Sequence, residues 1–151
     1  MKKYFYLLLL ALVPAMTFTA CGSDDDNEPE FNPGDVKFSK PTLTETSKQL
    51  ILTYNESYED LVVNIVETYE FEGDVLVKVT FSETFPNESM AQEFMEDIQS
   101  DPEEVLYYRN LTRSGRTVTY DATNEYKGKT KEEIRKFLQY RVDNWDRQSY
   151  K

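Results

Sequence analysis

Carboxylates are the only abundant side chains in this sequence that could take part in acid–base chemistry. The chain carries 28 Asp and Glu residues, 17 Lys and Arg residues, one Cys and no His. Without histidine, neither a Ser-His-Asp triad nor a Cys-His pair can form, and no metal can have a histidine ligand. A single cysteine excludes an internal disulfide and a Cys-x-x-Cys metal site.

Paired carboxylates could hydrolyse a glycosidic bond, but only in a cleft that holds two of them at a fixed separation and raises the pKa of one. A single two-layer domain of this length, 151 residues, leaves little room for such a cleft. The five glycines are scattered, so the chain has no glycine-rich phosphate loop. We therefore expect a protein that is not an enzyme and that uses neither a cofactor nor a metal.

The first 20 residues have the layout of a secretory signal peptide. Lys2 and Lys3 precede an apolar run over 4–13, and mostly small or weakly polar residues follow over 14–20. A membrane-spanning helix needs about twenty apolar residues, which is more than this run supplies. We therefore predict that the segment 1–20 is a signal peptide and not part of the folded domain.

The only cysteine, Cys21, directly follows this segment. The sequence FTAC at 18–21 resembles the lipobox of bacterial lipoprotein precursors, with Ala20 before the cleaved bond and Phe18 in place of the more usual Leu or Val. The resemblance implies a diacylglycerol on the Cys21 sulfur and an acylated Cys21 amine. Each buried methylene contributes about 0.8 kcal/mol, so several chains on one residue would hold the protein firmly.

An acidic tract follows the cysteine, with Asp24, Asp25, Asp26 and Glu28 in the sequence GSDDDNEPE at 22–30. It resembles the export tract of surface-exposed lipoproteins of Bacteroidetes. That resemblance implies an outer-membrane protein that is anchored by lipid and faces the cell exterior. Residues 21–35 hold six acids, two prolines, two glycines and no base, so we predict a disordered tether over 21–40. A flexible tether of about 20 residues spans roughly 25 Å.

The charge of the chain argues against some partners. Without the leader, 28 acids face 15 bases, and so acidic a chain is not a general nucleic-acid binder. The distribution is uneven, with 16 acids and 4 bases over 36–105 but 6 acids and 11 bases over 106–151. One interpretation is that the two halves attract each other within the fold. The other is a basic patch for an anionic ligand, comprising Arg109, Arg113, Arg116, Lys127, Lys129, Lys131 and Arg135.

The segment 41–151 is predicted to form a single α+β domain. Alternating apolar residues predict a strand over 48–55. The stretch 57–69 has apolar residues at helical spacing, but its many β-branched residues and the turn that follows at 72–74 favour a strand. The next strand is predicted over 75–85, with Val75, Val77, Val79 and Phe81 on one face.

The remaining elements are predicted from turn and capping residues. Ser89 and Gln92 match a capping box that would begin a helix, and Thr130 and Glu133 match a second. Between these helices, Arg113-Ser114-Gly115 predicts a hairpin that joins strands at 105–112 and 116–123. Trp145 falls on the apolar stripe of the last helix and is expected in the core.

These elements predict an antiparallel sheet of about five strands, in the order β-ββα-ββα, with both helices packed on one face. The opposite face would be polar, and it is ordinarily solvated. If the protein binds a ligand, this face or the hairpin tips are the first places to look. Its candidate binding residues are Thr68, Glu70, Lys78, Thr80, Thr119 and Asp121.

Two functions are consistent with these features. The first is a surface-tethered, non-catalytic binding or accessory module, attached to the membrane through Cys21, with an unidentified protein or glycan partner. The second is a periplasm-facing inhibitor or chaperone-like module, because the repeated strand–strand–helix order resembles that of β-lactamase inhibitory protein and of PepSY-like domains.

Overall fold

Alternating strand residues and two amphipathic helices build an α+β fold, as the sequence predicts. The structure is a computed structural model that describes residues 36–58, 61–102 and 104–147. The elements are β1 (Lys37–Phe38), β2 (Thr42–Glu45), β3 (Gln49–Tyr58), β4 (Leu61–Glu72), β5 (Val75–Thr84), α1 (Glu88–Ser100), β6 (Arg109–Ser114), β7 (Thr117–Asp121) and α2 (Lys131–Asp143). No helix in this described part of the chain is long and apolar enough to cross a membrane.

The strands form one antiparallel sheet in the order β1-β3-β4-β5-β7-β6, and β2 also pairs with β3. The expectation of about five strands in the order β-ββα-ββα is not confirmed, because the sheet has seven strands and β1 and β2 precede the others. Lys37 lies opposite Ser57, and Val36 is 3% exposed. Residues 36–40 therefore belong to the folded part, although the sequence placed them in the tether.

The long central strand β4 settles the ambiguity at 57–69 in favour of a strand. It pairs with β3 over ten consecutive residues, from Gln49 opposite Glu70 to Tyr58 opposite Leu61. Its odd-numbered residues are buried and its even-numbered residues are more exposed. Cross-strand pairing and the stiffness of β-branched side chains thus prevail over the helical spacing.

Both helices pack on the same face of the sheet. The buried residues of α1 are Ala91, Phe94 and Ile98, and those of α2 are Ile134 and Leu138. They share one core with the inward residues of the strands. Fully burying one such aliphatic or aromatic side chain contributes about 1.5–3 kcal/mol, so the two apolar stripes fix the helices on this face.

A β-bulge breaks the alternation predicted for β5. Lys78 lies opposite Glu70, but Leu76 lies opposite Phe71, so Val77 is an extra residue. Consequently Val75 and Val77 are 65% and 43% exposed, whereas the sequence placed them with the buried Val79. A bulge shifts the face of every residue beyond it.

Two other local predictions differ in position. The residues at 104–106 form a 3-10 turn, so β6 begins at Arg109 and not at 105. The helix α2 ends at Asp143, and Trp145 lies in a following 3-10 turn where it is only partly buried. Gly115, with φ of 58°, occupies the turn between β6 and β7, where a residue without Cβ adopts positive φ readily.

One of the two predicted helix caps is confirmed, and the other is wrong. Thr130 and Glu133 form the predicted capping box of α2. The cap of α1 is Asn87, whose side-chain oxygen accepts a hydrogen bond from the Met90 amide at 2.9 Å. Ser89 lies inside the helix and donates to Glu93 instead.

This assignment predicts different costs for two neighbouring substitutions. Asn87→Ala removes the acceptor for the Met90 amide and should lower the free energy of unfolding by about 1 kcal/mol. Ser89→Ala, the matched control, should change it by no more than about 0.5 kcal/mol. Urea denaturation of both variants checks the assignment, and an equal or reversed order of the two costs would contradict it.

Candidate functional site

The six candidate residues from the sequence all lie on the sheet face that points away from the helices. Thr68, Thr80 and Asp121 form one cross-strand row, and Glu70 lies opposite Lys78. Thr119 lies opposite Ser82, and their hydroxyls are 3.3 Å apart. The sheet therefore brings the predicted set together as a polar face.

A pocket of about 530 Å³ opens at the β6 edge of the sheet. We call it the edge pocket. It lies where the end of α1, the 3-10 turn at 104–106, the two last strands and the turn at 123–126 meet. Of the six predicted residues, Asp121 alone lines it. Its lining residues are Gln99, Val105, Tyr108, Arg109, Asn110, Leu111, Asp121, Thr123 and Asn124.

An irregularity at the start of β6 shapes this pocket. Asn110 has φ of 51°, and the register between β6 and β7 shifts between Arg109 and Thr112. Asparagine tolerates this left-handed conformation better than most residues with a Cβ. The shift interrupts regular pairing at the sheet edge, and Arg109 and Asn110 become part of the pocket wall.

Asp121 is a fixed anion in the pocket wall. Its Oδ1 accepts hydrogen bonds from the Thr123 amide at 2.8 Å and from the Thr123 hydroxyl at 2.5 Å, and Asn110 Nδ2 donates to Oδ2 at 3.4 Å. Partial burial pushes the pKa of Asp121 upward, but the Thr123 hydrogen bonds outweigh it and hold the pKa below its usual value. Asp121 is accordingly ionised and oriented at neutral pH.

Arg109 supplies the opposite charge. With the Asn124 amide turned so that its oxygen faces the guanidinium, that oxygen accepts from Arg109 Nη1 at 2.5 Å and from Nη2 at 3.2 Å. Arg109 makes no ion pair with any residue in the described part of the chain. A guanidinium has five N–H donors in a planar fork, so donors remain for a ligand.

An exposed apolar turn lies beside the edge pocket. Leu106 is 73% exposed, Tyr107 63% and Val105 46%, and Val105 also lines the pocket. Three consecutive exposed apolar side chains are unusual on a small soluble domain and commonly mark contact surfaces. We refer to residues 105–107 as the apolar turn.

Several residues of the predicted basic patch are engaged in ion pairs or hydrogen bonds within the protein. Lys131 pairs with Glu45 at 3.1 Å, and Arg135 pairs with Glu132 at 2.8 Å. Arg113 donates to the Gly115 carbonyl. Of the seven predicted basic residues, Arg109 is the one that lines the pocket.

Three glutamates buried between the sheet and the helices were missed by the sequence analysis. Glu56, Glu67 and Glu83 are 1%, 0% and 2% exposed. We call them the buried carboxyl cluster. Each occupies an inward position of its strand, flanked two residues away by buried aromatic or aliphatic residues. That alternation was a signal in the sequence that could have revealed them.

Glu67 is neutralised by Arg141 of α2. The guanidinium donates to the two carboxylate oxygens at 2.7 and 2.8 Å, and the Tyr69 hydroxyl donates to Oε2 at 2.7 Å. Arg141 also lies over the rings of Tyr54 and Phe137, at 5.3 and 5.7 Å from their centroids. This bidentate geometry offsets the cost of removing both charges from water.

Among the described residues, Glu56 and Glu83 have no bidentate cationic partner such as Arg141 is for Glu67. Burial, with the neighbouring Glu67 charge, raises the pKa of Glu83 to about 8 against the opposing effect of the Tyr120 hydroxyl. Burial and the charges of Glu83 and Glu67 likewise raise the pKa of Glu56 well above its usual range. The pKa of Glu83 therefore lies above neutral pH, and the pKa of Glu56 is shifted in the same direction.

The cluster does not have the arrangement of a metal centre. Nowhere in residues 36–58, 61–102 and 104–147 does a group of three or more Asp, Glu, Cys or His side chains converge as metal ligands would.

The comparisons with known proteins give no further guidance, since no family model, curated protein or solved structure matches the chain. The site must therefore be interpreted from its own chemistry.

The buried ion pair predicts a large and asymmetric response to mutation. Arg141→Met leaves the Glu67 charge unpaired in the interior and should cost about 3–5 kcal/mol of stability. The double variant Arg141→Met with Glu67→Gln should recover part of this loss, because the side chain at position 67 is then an uncharged amide and no unpaired charge is buried there. Lys136→Met, which breaks an exposed pair with Glu132, is the control and should cost less than about 1 kcal/mol. Urea denaturation measures all three, and additive losses in the double variant would contradict the interpretation.

The raised pKa of Glu83 predicts that the stability of the protein depends on pH in a specific way. Since its folded-state pKa is about 8, the folded state binds the proton more tightly than the unfolded state does. The stabilisation is complete below the unfolded pKa and is lost as the pH rises towards 8, with a slope of up to about 1.4 kcal/mol per pH unit. Glu83→Gln should therefore be more stable relative to wild type at pH 8 than at pH 5.

Chemical denaturation at the two pH values provides the measurement. Glu96→Gln, on the exposed side of α1, is the matched control for the loss of one carboxyl. A difference between wild type and Glu83→Gln that is the same at pH 5 and pH 8 would show that Glu83 does not titrate in this range.

Proposed function

We propose that this chain is a lipid-anchored outer-membrane lipoprotein, facing the cell exterior, whose folded domain binds a partner without catalysis. The observation that carries the binding role is the edge pocket, where a cation, an anion and three side-chain amides line one cavity beside an exposed apolar turn. Anchoring rests on the lipobox-like Cys21 and on the acidic tract Asp24, Asp25, Asp26 and Glu28, all of which lie outside the described residues.

The lining of the edge pocket favours a polar ligand. Arg109, Asn110 and Asn124 supply planar hydrogen-bonding groups, and Val105 and Tyr108 supply apolar surface. Such a combination of oriented polar groups with apolar walls is typical of small-ligand sites. It suits the hydroxyls of a glycan or the polar groups of a peptide.

The same lining supports a non-catalytic role. Asp121 is the single carboxylate among the described lining residues, and its lowered pKa keeps it from acting as a general acid. Glycoside hydrolysis ordinarily requires a second carboxyl group at a fixed distance. Four glutamates have raised pKa values, and none of them is among the lining residues of the pocket: Glu56, Glu83, Glu104 and Glu125.

A glycan-array and surface pull-down screen tests the binding role. We expect wild type to retain a ligand, and Arg109→Ala to weaken its binding at least tenfold, because a charge-assisted hydrogen bond contributes about 1.5–3 kcal/mol. Arg113→Ala, on the same strand but outside the pocket lining, is the matched control and should bind like wild type. No partner above background, or equal losses in both variants, would count against the edge pocket.

The anchoring and exposure have their own test. Mass spectrometry of the natural product should find Cys21 as the N-terminal residue with lipid on its sulfur. Protease treatment of intact cells should cleave the domain, because only an outward-facing domain is accessible. A bare Cys21 thiol, or a leader still attached, would refute the anchor, and full protection from protease would refute the outward orientation.

The apolar turn favours a second candidate function, that of a periplasm-facing inhibitor or chaperone-like module. Leu106 and Tyr107 project from the surface and could enter the cleft of a partner protein. In that case Leu106→Asp would abolish capture of the partner while Arg109→Ala would leave it intact. Protection of the domain in intact cells would accompany this outcome.

A further inference from the structure

Two opposite charges lie on neighbouring strands in the wall of the edge pocket without pairing. Arg109 of β6 is directly opposite Asp121 of β7, and both residues line the pocket. Facing residues have Cβ atoms about 4.5–5.5 Å apart, so opposite charges at such positions ordinarily attract each other. In the described part of the chain, however, the side-chain hydrogen bonds of both residues go to neutral groups. Both charges therefore remain available to a ligand.

The Arg109 guanidinium keeps one of its hydrogen-bonding edges free. The oxygen of the turned Asn124 amide accepts from both Nη atoms, which uses two of the five N–H donors. The two N–H bonds that can converge on a single oxygen are those between the Nη atoms. The edge formed by Nε–H and the neighbouring Nη–H is therefore open, and a carboxylate can engage this fork with both of its oxygens.

The Asp121 carboxylate likewise has one oxygen that can accept a further donor. Oδ1 accepts from the Thr123 amide and hydroxyl, whereas Oδ2 accepts a single long hydrogen bond of 3.4 Å from Asn110. Partial burial raises the pKa of Asp121, but the hydrogen bonds lower it by more, so the carboxylate is ionised at neutral pH. Because hydrogen bonds between charged groups are the strong ones, an ammonium group suits Oδ2 best.

The charges of the pocket favour a ligand that carries both signs. Arg109 is the single cation and Asp121 the single anion among the described lining residues, so the lining has no net charge. A dianion such as phosphate would be repelled by Asp121 and by the net charge of the chain, −11, and a simple cation would be repelled by Arg109. One carboxylate and one ammonium on the same small molecule match both fixed charges.

The rest of the lining can accommodate the remainder of such a molecule. The volume of about 530 Å³ lies within the usual range for small-molecule sites. Val105, Tyr108 and Leu111 supply apolar wall, and Gln99 supplies a further amide. An amino acid has this composition, because its carboxylate and ammonium flank one carbon and its side chain can face the apolar wall.

We propose that the edge pocket binds a small zwitterion of the amino-acid class, with its carboxylate on Arg109 and its ammonium on Asp121. This assignment rests on the proposed binding function and narrows its polar ligand to one chemical class. A neutral sugar would use the amides of the same pocket without needing both charges. The two kinds of ligand are therefore distinguished by removing one charge of the ligand at a time.

Calorimetric titration of the full-length chain with the common free amino acids tests the proposal. We expect at least one of them to bind. Its carboxamide and its α-hydroxy acid analogue should each bind at least tenfold more weakly, because each lacks one charge-assisted contact. Arg109→Gln should weaken the amino acid at least tenfold and abolish its advantage over the carboxamide, and Asp121→Asn should abolish its advantage over the hydroxy acid. Arg113→Gln, outside the lining, is the matched control and should bind like wild type.

The outcomes separate this proposal from the binding function on which it rests. The zwitterion assignment is wrong if no amino acid binds, if both analogues bind as tightly as the amino acid, or if Arg113→Gln loses as much affinity as Arg109→Gln. A glycan whose binding Arg109→Ala weakens would then leave the binding role of the edge pocket in place, whereas the absence of any such ligand would remove both. If a variant does not fold, the affinities of the two analogues for wild type decide.

Discussion

The bidentate ion pair between Glu67 and Arg141 is the interaction on which the arrangement of the sheet and α2 depends. It joins the middle of the central strand to the last turn of α2, and the two residues are 74 positions apart in the sequence. Because both charges are almost completely buried, any shift of α2 that separated them would leave a bare charge in the core. The pair thus restricts α2 to one position on the sheet, which apolar contacts alone would specify less sharply.

The same pair explains how an acidic chain accommodates its uneven charge. The basic C-terminal half supplies Arg141 and Lys131, and the acidic N-terminal half supplies their partners Glu67 and Glu45. The asymmetry seen in the sequence is therefore used, at least at these two contacts, to hold the two halves together. Glu56 and Glu83 lie in the same interior without an ion-pair partner among the described residues, and burial raises the pKa of both.

Much of the fold could be predicted from local patterns. The β-branched run of β4, the glycine turns and the Thr130 capping box each indicate their structure through short-range sterics and hydrogen bonds. The pattern failed where long-range pairing decides, since Val77 becomes a bulge because β5 must pair with β4 beyond Phe71. It also failed locally at α1, where Asn87 and Ser89 are both good capping residues and the helix begins at Glu88, so Asn87 is the cap.

The candidate site was less predictable, because it too depends on contacts between residues that are distant in the sequence. The polar face followed from alternation, and Asp121 was among its residues. The edge pocket, however, depends on a register shift at Asn110 and on loops that meet only in the folded chain. The buried glutamates occupy inward positions of the alternating pattern, but a chain with 28 acids has many such positions on exposed strands too, so the pattern alone does not mark these three as buried.

The irregular start of β6 affects how two molecules of this protein could associate through the edges of their sheets. A sheet that ends in a long, regular strand offers its free backbone groups to a neighbouring molecule. Here the outermost strand is short, it is interrupted at Asn110, and its exposed Arg109 and Arg113 repel an identical strand. If several copies lay close together, their β6 edges would meet as irregular strands that both carry positive charge, and this disfavours stacking of the sheets into fibres.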